Sequence, residues 1–249
     1  MQLQPIIETK KLSKDFGALR AVNEVDLQVY PGQIHSIIGP NGAGKTTLFN
    51  LLTGFISPTH GEIFFKGEDI SGLPPYLLSM KGLARSFQIT SIFPVLSVHE
   101  NVRVAAQSRK KESVNFLRHY DRLKEATEKA DEVLEFIGLA EKKKMVSRNL
   151  AYGEKRILDI GIALATNPEI LLLDEPVSGL PSGDIQWMME LIEEISKTLT
   201  VIMIDHNIDL VISISDIITV LNQGSVIAQG KPDEIQKNER VQEAYLGGY

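Results

Sequence analysis

The eight residues Gly39-Pro40-Asn41-Gly42-Ala43-Gly44-Lys45-Thr46 constrain this chain more than any other feature. They begin where a short apolar run, Ile34 to Gly39, enters a glycine-rich turn, and they lead into a stretch from Thr46 to Leu52 that reads as helix. G-x-x-x-x-G-K-[ST] between a strand and a helix is the pattern of a phosphate-binding loop. Its glycines let successive backbone N–H groups curl around phosphate oxygens, and the helix N-terminus adds the positive end of its dipole. Lys45 has the length to reach β and γ phosphates, and the Thr46 hydroxyl is placed to ligate Mg²⁺. The expected contact set for a nucleoside triphosphate is Gly39, Asn41, Gly42, Gly44, Lys45, Thr46 and Thr47. The loop leaves open which chemistry the triphosphate undergoes.

A second motif narrows it. Ile170-Leu171-Leu172-Leu173 is apolar on both faces, as a strand covered by helices must be, and it ends in Asp174-Glu175. Ligands of parallel sheets bind at the carboxyl ends of the strands. Asp174 is therefore placed to hold Mg²⁺, and Glu175, one residue on, to polarise a water for attack on the γ-phosphate. Another apolar run, Val201 to Ile204, ends in Asp205-His206. On its own, His206 reads as a packing or hydrogen-bonding residue. The remaining histidines, His35, His60, His99 and His119, have no spacing that suggests a metal site.

Composition excludes several other classes. The chain has no cysteine, which removes disulfides, thiolate metal sites and cysteine nucleophiles together. Its formal charge is -6, whereas binding that works by releasing phosphate counterions goes with a basic surplus; nucleic acid is not expected as a partner. No secretory leader is visible from Met1 to Lys11, and the apolar run from Leu210 to Leu221 is interrupted by Asp216. A membrane role is thus expected to come through a partner.

The layout reads as α/β. Residues up to Val29 alternate apolar and polar, as in antiparallel strand, and Gly61 to Ile70 reads as a hairpin turning at Lys66-Gly67. Between about Ser97 and Arg148 the sequence turns charge-rich. There Leu123, Ala126, Ala130, Val133, Leu134 and Ile137 fall at helical spacing, with Gly138 as a stop. The run Lys142-Lys143-Lys144 reads as a solvated face, and Trp187, spaced from Leu191 by one helical turn, as core or dimer packing.

Taken in order, these motifs resemble the ATP-binding-cassette (ABC) ATPases over nearly the whole chain. The resemblance adds Phe16 as an aromatic that stacks on adenine and Gln88, in Ser86-Phe87-Gln88, as the glutamine that contacts Mg²⁺ or the attacking water. It makes Leu150-Ala151-Tyr152-Gly153-Glu154 the family signature, usually LSGGQ, with Ala151, Gly153 and Glu154 facing nucleotide, and His206 the switch histidine. It implies a P-loop NTPase core with a mainly parallel sheet, an antiparallel β subdomain and an inserted helical subdomain at about 90–160 of a single domain spanning 1–249. ATP and Mg²⁺ are the implied cofactors.

The LAYGE signature, Asp174-Glu175-Pro176-Val177-Ser178-Gly179-Leu180 and the ending Ala244-Tyr245-Leu246-Gly247 are similar to those of branched-chain amino acid importers, with amide and urea importers close by. The implied partners are two transmembrane permease subunits, a second cassette (a copy or a paralogue) paired head to tail, and indirectly a solute-binding protein. The implied location is peripheral, on the cytoplasmic face of the inner or plasma membrane. Ile89, Ile92, Phe93 and Val95 are expected to line a groove for a permease helix. Three departures stand out: Ala151 lacks the signature serine's hydroxyl, Tyr152 is bulkier than the usual glycine, and Pro181 replaces the D-loop aspartate, which implies slower or asymmetric turnover unless something compensates. A soluble ABC ATPase of cofactor assembly or DNA repair and a non-transporting regulator share the same motifs and remain as alternatives.

Overall fold

The computed structural model describes residues 4–86, 92–108 and 116–246, the side chains of 116–123 and 246 excepted. Its strands are β1 (Ile7–Phe16), β2 (Leu19–Val29), β3 (Ile34–Ile38), β4 (His60–Phe65), β5 (Glu68–Asp69), β6 (Leu83–Arg85), β7 (Ile170–Asp174), β8 (Thr200–Ile204), β9 (Ile217–Asn222) and β10 (Ser225–Gly230). The helices are α1 (Lys45–Leu52), α2 (Pro75–Lys81), α3 (Val98–Gln107), α4 (Phe116–Phe136), α5 (Tyr152–Leu164), α6 (Ser182–Ser196), α7 (Ile208–Ile214), α8 (Pro232–Gln236) and α9 (Glu239–Leu246). No described helix is long and apolar enough to cross a membrane.

Two sheets organise the molecule. One is antiparallel, in the order β2-β1-β4-β5; the other has six strands in the order β10-β9-β3-β8-β7-β6, parallel except for β10. The six-stranded sheet is apolar on both faces because successive side chains point to opposite sides. Leu171 and Leu173 of β7 enter one core with Val201, Met203 and the helices α3 to α6. Ile170 and Leu172 enter the other with Ile202, α1 and the antiparallel sheet.

Local sequence accounts for most of these elements. The hairpin between β4 and β5 turns at Lys66 (φ 54) and Gly67 (φ 79), the pair read from the sequence. Helix α4 buries Ala126, Ala130, Val133 and Leu134, with Ile137 buried just beyond it, and Gly138 at φ 73 stops it. Helix α3 starts in a capping box: the Ser97 hydroxyl accepts from the Glu100 N–H, and Glu100 returns to the Ser97 N–H. The break at Asp216 divides α7 from β9, and its carboxylate accepts the Ile34 N–H at 2.8 Å, fixing where β3 begins.

In the large sheet β8 lies between β3 and β7. The three segments that leave their carboxyl ends, Gly39 onward, Asp174-Glu175 and Asp205-His206, therefore emerge side by side.

Candidate active site

The phosphate-loop pattern folds into a clamped turn. Gly39 (φ 152) packs so closely that a Cβ would fall 2.1 Å from the Leu221 carbonyl oxygen of β9. Gly44 (φ 98) leaves only 2.4 Å between a Cβ and the Ala21 carbonyl of β2. Gly42 (φ 79) has nothing within 4 Å of that position and faces open space. The loop is thus tight where it meets protein and open where a ligand would lie. Hydrogen bonds complete the clamp: the Gly224 N–H donates to Ala43 at 3.0 Å, and the Asn23 N–H donates to Gly224 at 2.8 Å.

A cleft of about 480 Å³ opens over this turn, lined by Asn41 through Thr47, Leu19, Arg20, Ala21, Glu175, Gln223 and Gly224. The Lys45 ammonium folds back inside it to donate to the Gly39 and Pro40 carbonyls at 2.7 and 3.0 Å. Burial lowers its pKa, and the opposing charge of Glu175 works against that shift. Glu175 sits at φ 49, a left-handed conformation uncommon for a side chain of its kind, held by its N–H donating to Ile204 at 2.8 Å. That turn carries it off the end of β7 into the cleft. His206 Nδ1 stands 3.9 Å from Glu175 Oε1 and equally far from Asp205 Oδ1. Asp205 is fully buried, and burial raises its pKa.

The other expected residues distribute around this centre. Asp174, buried at the end of β7, is ion-paired to Arg85 at 2.7 Å. Phe16 is half-exposed at the tip of the β1–β2 hairpin, outside the cleft lining, while its cross-strand partner Leu19 lines the cleft. Gln88 and Ile89 lie outside the described residues. Ile92 is partly buried against the core, whereas Phe93 and Val95 are exposed.

Ala151, Tyr152, Gly153 and Glu154 line none of this cleft's walls. Ala151 precedes α5, and the Glu154 carboxylate accepts its N–H at 3.0 Å. Gly153 packs against Asp184 of α6, 2.5 Å from where its Cβ would stand. Tyr152 covers Gly179, and its hydroxyl donates to the Ser178 carbonyl at 3.4 Å. The bulky signature residue thus touches the segment in which Pro181 replaces an aspartate. The lysine run lies at the surface as expected, with Lys143 and Lys144 exposed, and two of its members are ion-paired there: Lys142 to Glu154, and Lys143 to Asp131 at 3.0 Å.

Sequence pattern singled out neither Arg85, which reaches Asp174 across 89 positions, nor Arg20 at the cleft mouth, held by Asp15 at 2.8 Å. It also passed over Asn101. This buried amide accepts the Phe93 N–H at 2.7 Å and donates to Phe93, Ser97 and Ser147. Burial raises the Tyr245 hydroxyl of α9 to about 12, with the Gly39 backbone acting the other way.

Comparison with known proteins gives the same outline. Residues 22–178 match the profile of the ABC transporter family, and residues 225–249 match that of the branched-chain amino acid ATP-binding cassette transporter. The chain is 42% identical over 254 residues to the high-affinity branched-chain amino acid transport ATP-binding protein LivG of Escherichia coli, covering 98% of both. Among solved structures it is similar to the ADP conformation of the cassette MJ1267 (TM-score 0.86, 31% identity, 98% and 99% of the two chains). It is also similar to a dimeric post-hydrolysis cassette, MJ0796 bound to ADP and Pi (TM-score 0.77, 25% identity, 91% and 98%). A strand-to-helix phosphate loop facing a strand-end glutamate, in a chain matched from end to end by such cassettes, belongs to the ABC transporter family, as one of its nucleotide-binding, transport-powering ATPases.

Proposed function

We propose that this chain hydrolyses ATP to drive an importer of branched-chain amino acids or related small polar solutes, from the cytoplasmic face of the inner or plasma membrane. The observation that supports it most directly is the cleft in which Asn41 through Thr47 face Glu175. The C-terminal match to branched-chain transporters supports the substrate class.

In this reading the backbone of Gly39, Asn41, Gly42 and Gly44 cradles the phosphates, and Lys45 exchanges the Gly39 and Pro40 carbonyls for β and γ oxygens. Phe16 stacks on adenine, with Leu19 beneath it. Glu175 accepts a proton from the attacking water, and His206, within 4 Å of it, holds the γ-phosphate side of the water. Thr46 and Asp174 offer two hard oxygen donors beside the phosphates, a set that suits Mg²⁺, which keeps few protein ligands. Bound there, Mg²⁺ would neutralise charge on the β and γ oxygens. The family resemblance adds Gln88 as the glutamine that contacts Mg²⁺ or the attacking water.

Ala151, Gly153 and Glu154 serve the nucleotide of a second cassette, paired head to tail, because they do not face their own. The γ-phosphate supplies the differential binding that closes such a pair, and hydrolysis removes it. The inserted helices, at about 90–160 of the one domain, pass that motion to two permease subunits fed by a solute-binding protein.

Glu175→Gln tests both halves. The variant should bind ATP with unchanged affinity while phosphate release falls by at least about 10²-fold. Used as bait on native membranes with ATP, it should retain two polytopic subunits and a second cassette. Near-native hydrolysis would remove Glu175 as the base. Capture of soluble proteins alone would overturn the transport role.

A further inference from the structure

Arg85, the last residue of β6, stands where three elements converge and has no part in the reaction outlined above. Its Nη2 donates to Asp174 Oδ2 at 2.7 Å, and its Nη1 donates to Asn50 Oδ1 at 2.7 Å and Thr53 Oγ1 at 3.0 Å. Phe49 and Phe55 lie against the guanidinium, 5.5 and 5.3 Å from ring centre to its carbon. The Arg85 and Asp174 side chains are only 10% and 4% exposed. The fork therefore reaches from the end of β7 to α1, the helix that begins at the phosphate loop.

We infer that Arg85 is a positioning residue that sets the orientation of the Asp174 carboxylate relative to the phosphate loop. Planarity is essential to this role. A guanidinium offers donors in a fixed fork, so one nitrogen can anchor on Asn50 and Thr53 while another pins one carboxylate oxygen. With Oδ2 pinned, rotation of the carboxylate is fixed and Oδ1 keeps one direction. A lysine supplies the same charge from a single flexible point and cannot span both sides. The inference rests on the reading of Asp174 as a magnesium-binding acid.

The test measures binding rather than turnover. ATP affinity is followed by equilibrium titration in EDTA and over a range of Mg²⁺ concentrations for the native chain, Arg85→Lys, Asn50→Ala and Asp174→Asn. Arg85→Lys should leave affinity in EDTA unchanged and raise the Mg²⁺ midpoint about 10-fold or more, the usual cost of losing a partner that orients a metal ligand. Asn50→Ala keeps the buried ion pair and removes one anchor, so it should move the midpoint the same way by a smaller factor; it decides the matter if Arg85→Lys does not fold. An unmoved midpoint in either folded variant overturns the inference. So does equal loss of affinity in EDTA, which would make Arg85 a support for the loop instead. If Asp174→Asn leaves the midpoint where it was, the reading of Asp174 fails first and the role of Arg85 with it.

Discussion

Gly42 and Gly44 share one loop and one sign of φ, yet alanine should act on them through different physics. At Gly42 (φ 79) a Cβ meets nothing within 4 Å, so Gly42→Ala costs only the left-handed backbone, about 1–2 kcal/mol. At Gly44 (φ 98) the same backbone cost applies, and the Cβ lands 2.4 Å from the Ala21 carbonyl oxygen. That oxygen belongs to β2, which is paired along its length with β1, so it cannot move alone. Relieving the overlap requires shifting the loop or the strand, which adds about 1–3 kcal/mol, the range for overpacking in a filled interior.

For a chain of this size each kcal/mol lowers Tm by about 2–4 °C. Gly42→Ala should therefore lose a few degrees, and Gly44→Ala roughly twice as much. Nucleotide binding should show the reverse order among folded molecules, because the new methyl of Gly42→Ala occupies the open side of the loop. Differential scanning calorimetry of both variants without nucleotide, followed by ATP titration well below their Tm values, measures the two effects separately. Equal losses of Tm, or a Gly42→Ala variant that binds ATP as the native chain does, would refute the division of the loop into a clamped side and an open side.

Two further outcomes follow from buried polar groups. His35 is fully buried, and burial holds its imidazole down at about 4, against about 6.5 for the exposed group. Its contribution is complete above the higher value and is lost as pH falls towards 4, where the unfolded chain takes up a proton that the folded one refuses. That difference amounts to about 3 kcal/mol. His35→Gln should flatten the fall in urea midpoint between pH 6.5 and 4, and an identical pH profile would contradict the assignment. Asn101→Ala should cost about 1–3 kcal/mol by stranding the Phe93 N–H, and should speed proteolysis between residues 92 and 97. Unchanged Tm and cleavage rates would show that water replaces the amide without penalty.

What the sequence disclosed were features fixed by neighbours along the chain. The phosphate loop, the apolar strands ending in Asp174 and His206, the turn at Lys66-Gly67 and the stop at Gly138 each depend on fewer than ten consecutive residues. Helix α1 starts at Lys45, one residue before its expected position. Contacts between distant segments were not legible. No periodicity relates Arg85 to Asp174, and nothing about three consecutive lysines says that one meets Glu154 and the next Asp131. Tyr152 is the clearest case. The sequence shows a residue bulkier than the usual glycine, and only the packing over Gly179 gives that bulk something to cover. Side-chain identity marks the chemistry available, and the topology of the sheet decides which chemistries meet.

The order of strands also has a consequence for how the protein is made. β3, the strand that delivers the phosphate loop, emerges early from a ribosome, yet its neighbours in the sheet are β8 and β9. The loop itself leans on Leu221 and bonds to Gly224. A growing chain that ends before Thr200 leaves β3 with both edges unpaired, and one that ends before Gly224 lacks a wall of the cleft. The complete cleft therefore exists only once Gly224 has been made, after a long interval in which an apolar strand waits for distant partners. The loop at Gly39 to Thr46 is thus built early in the chain and walled late.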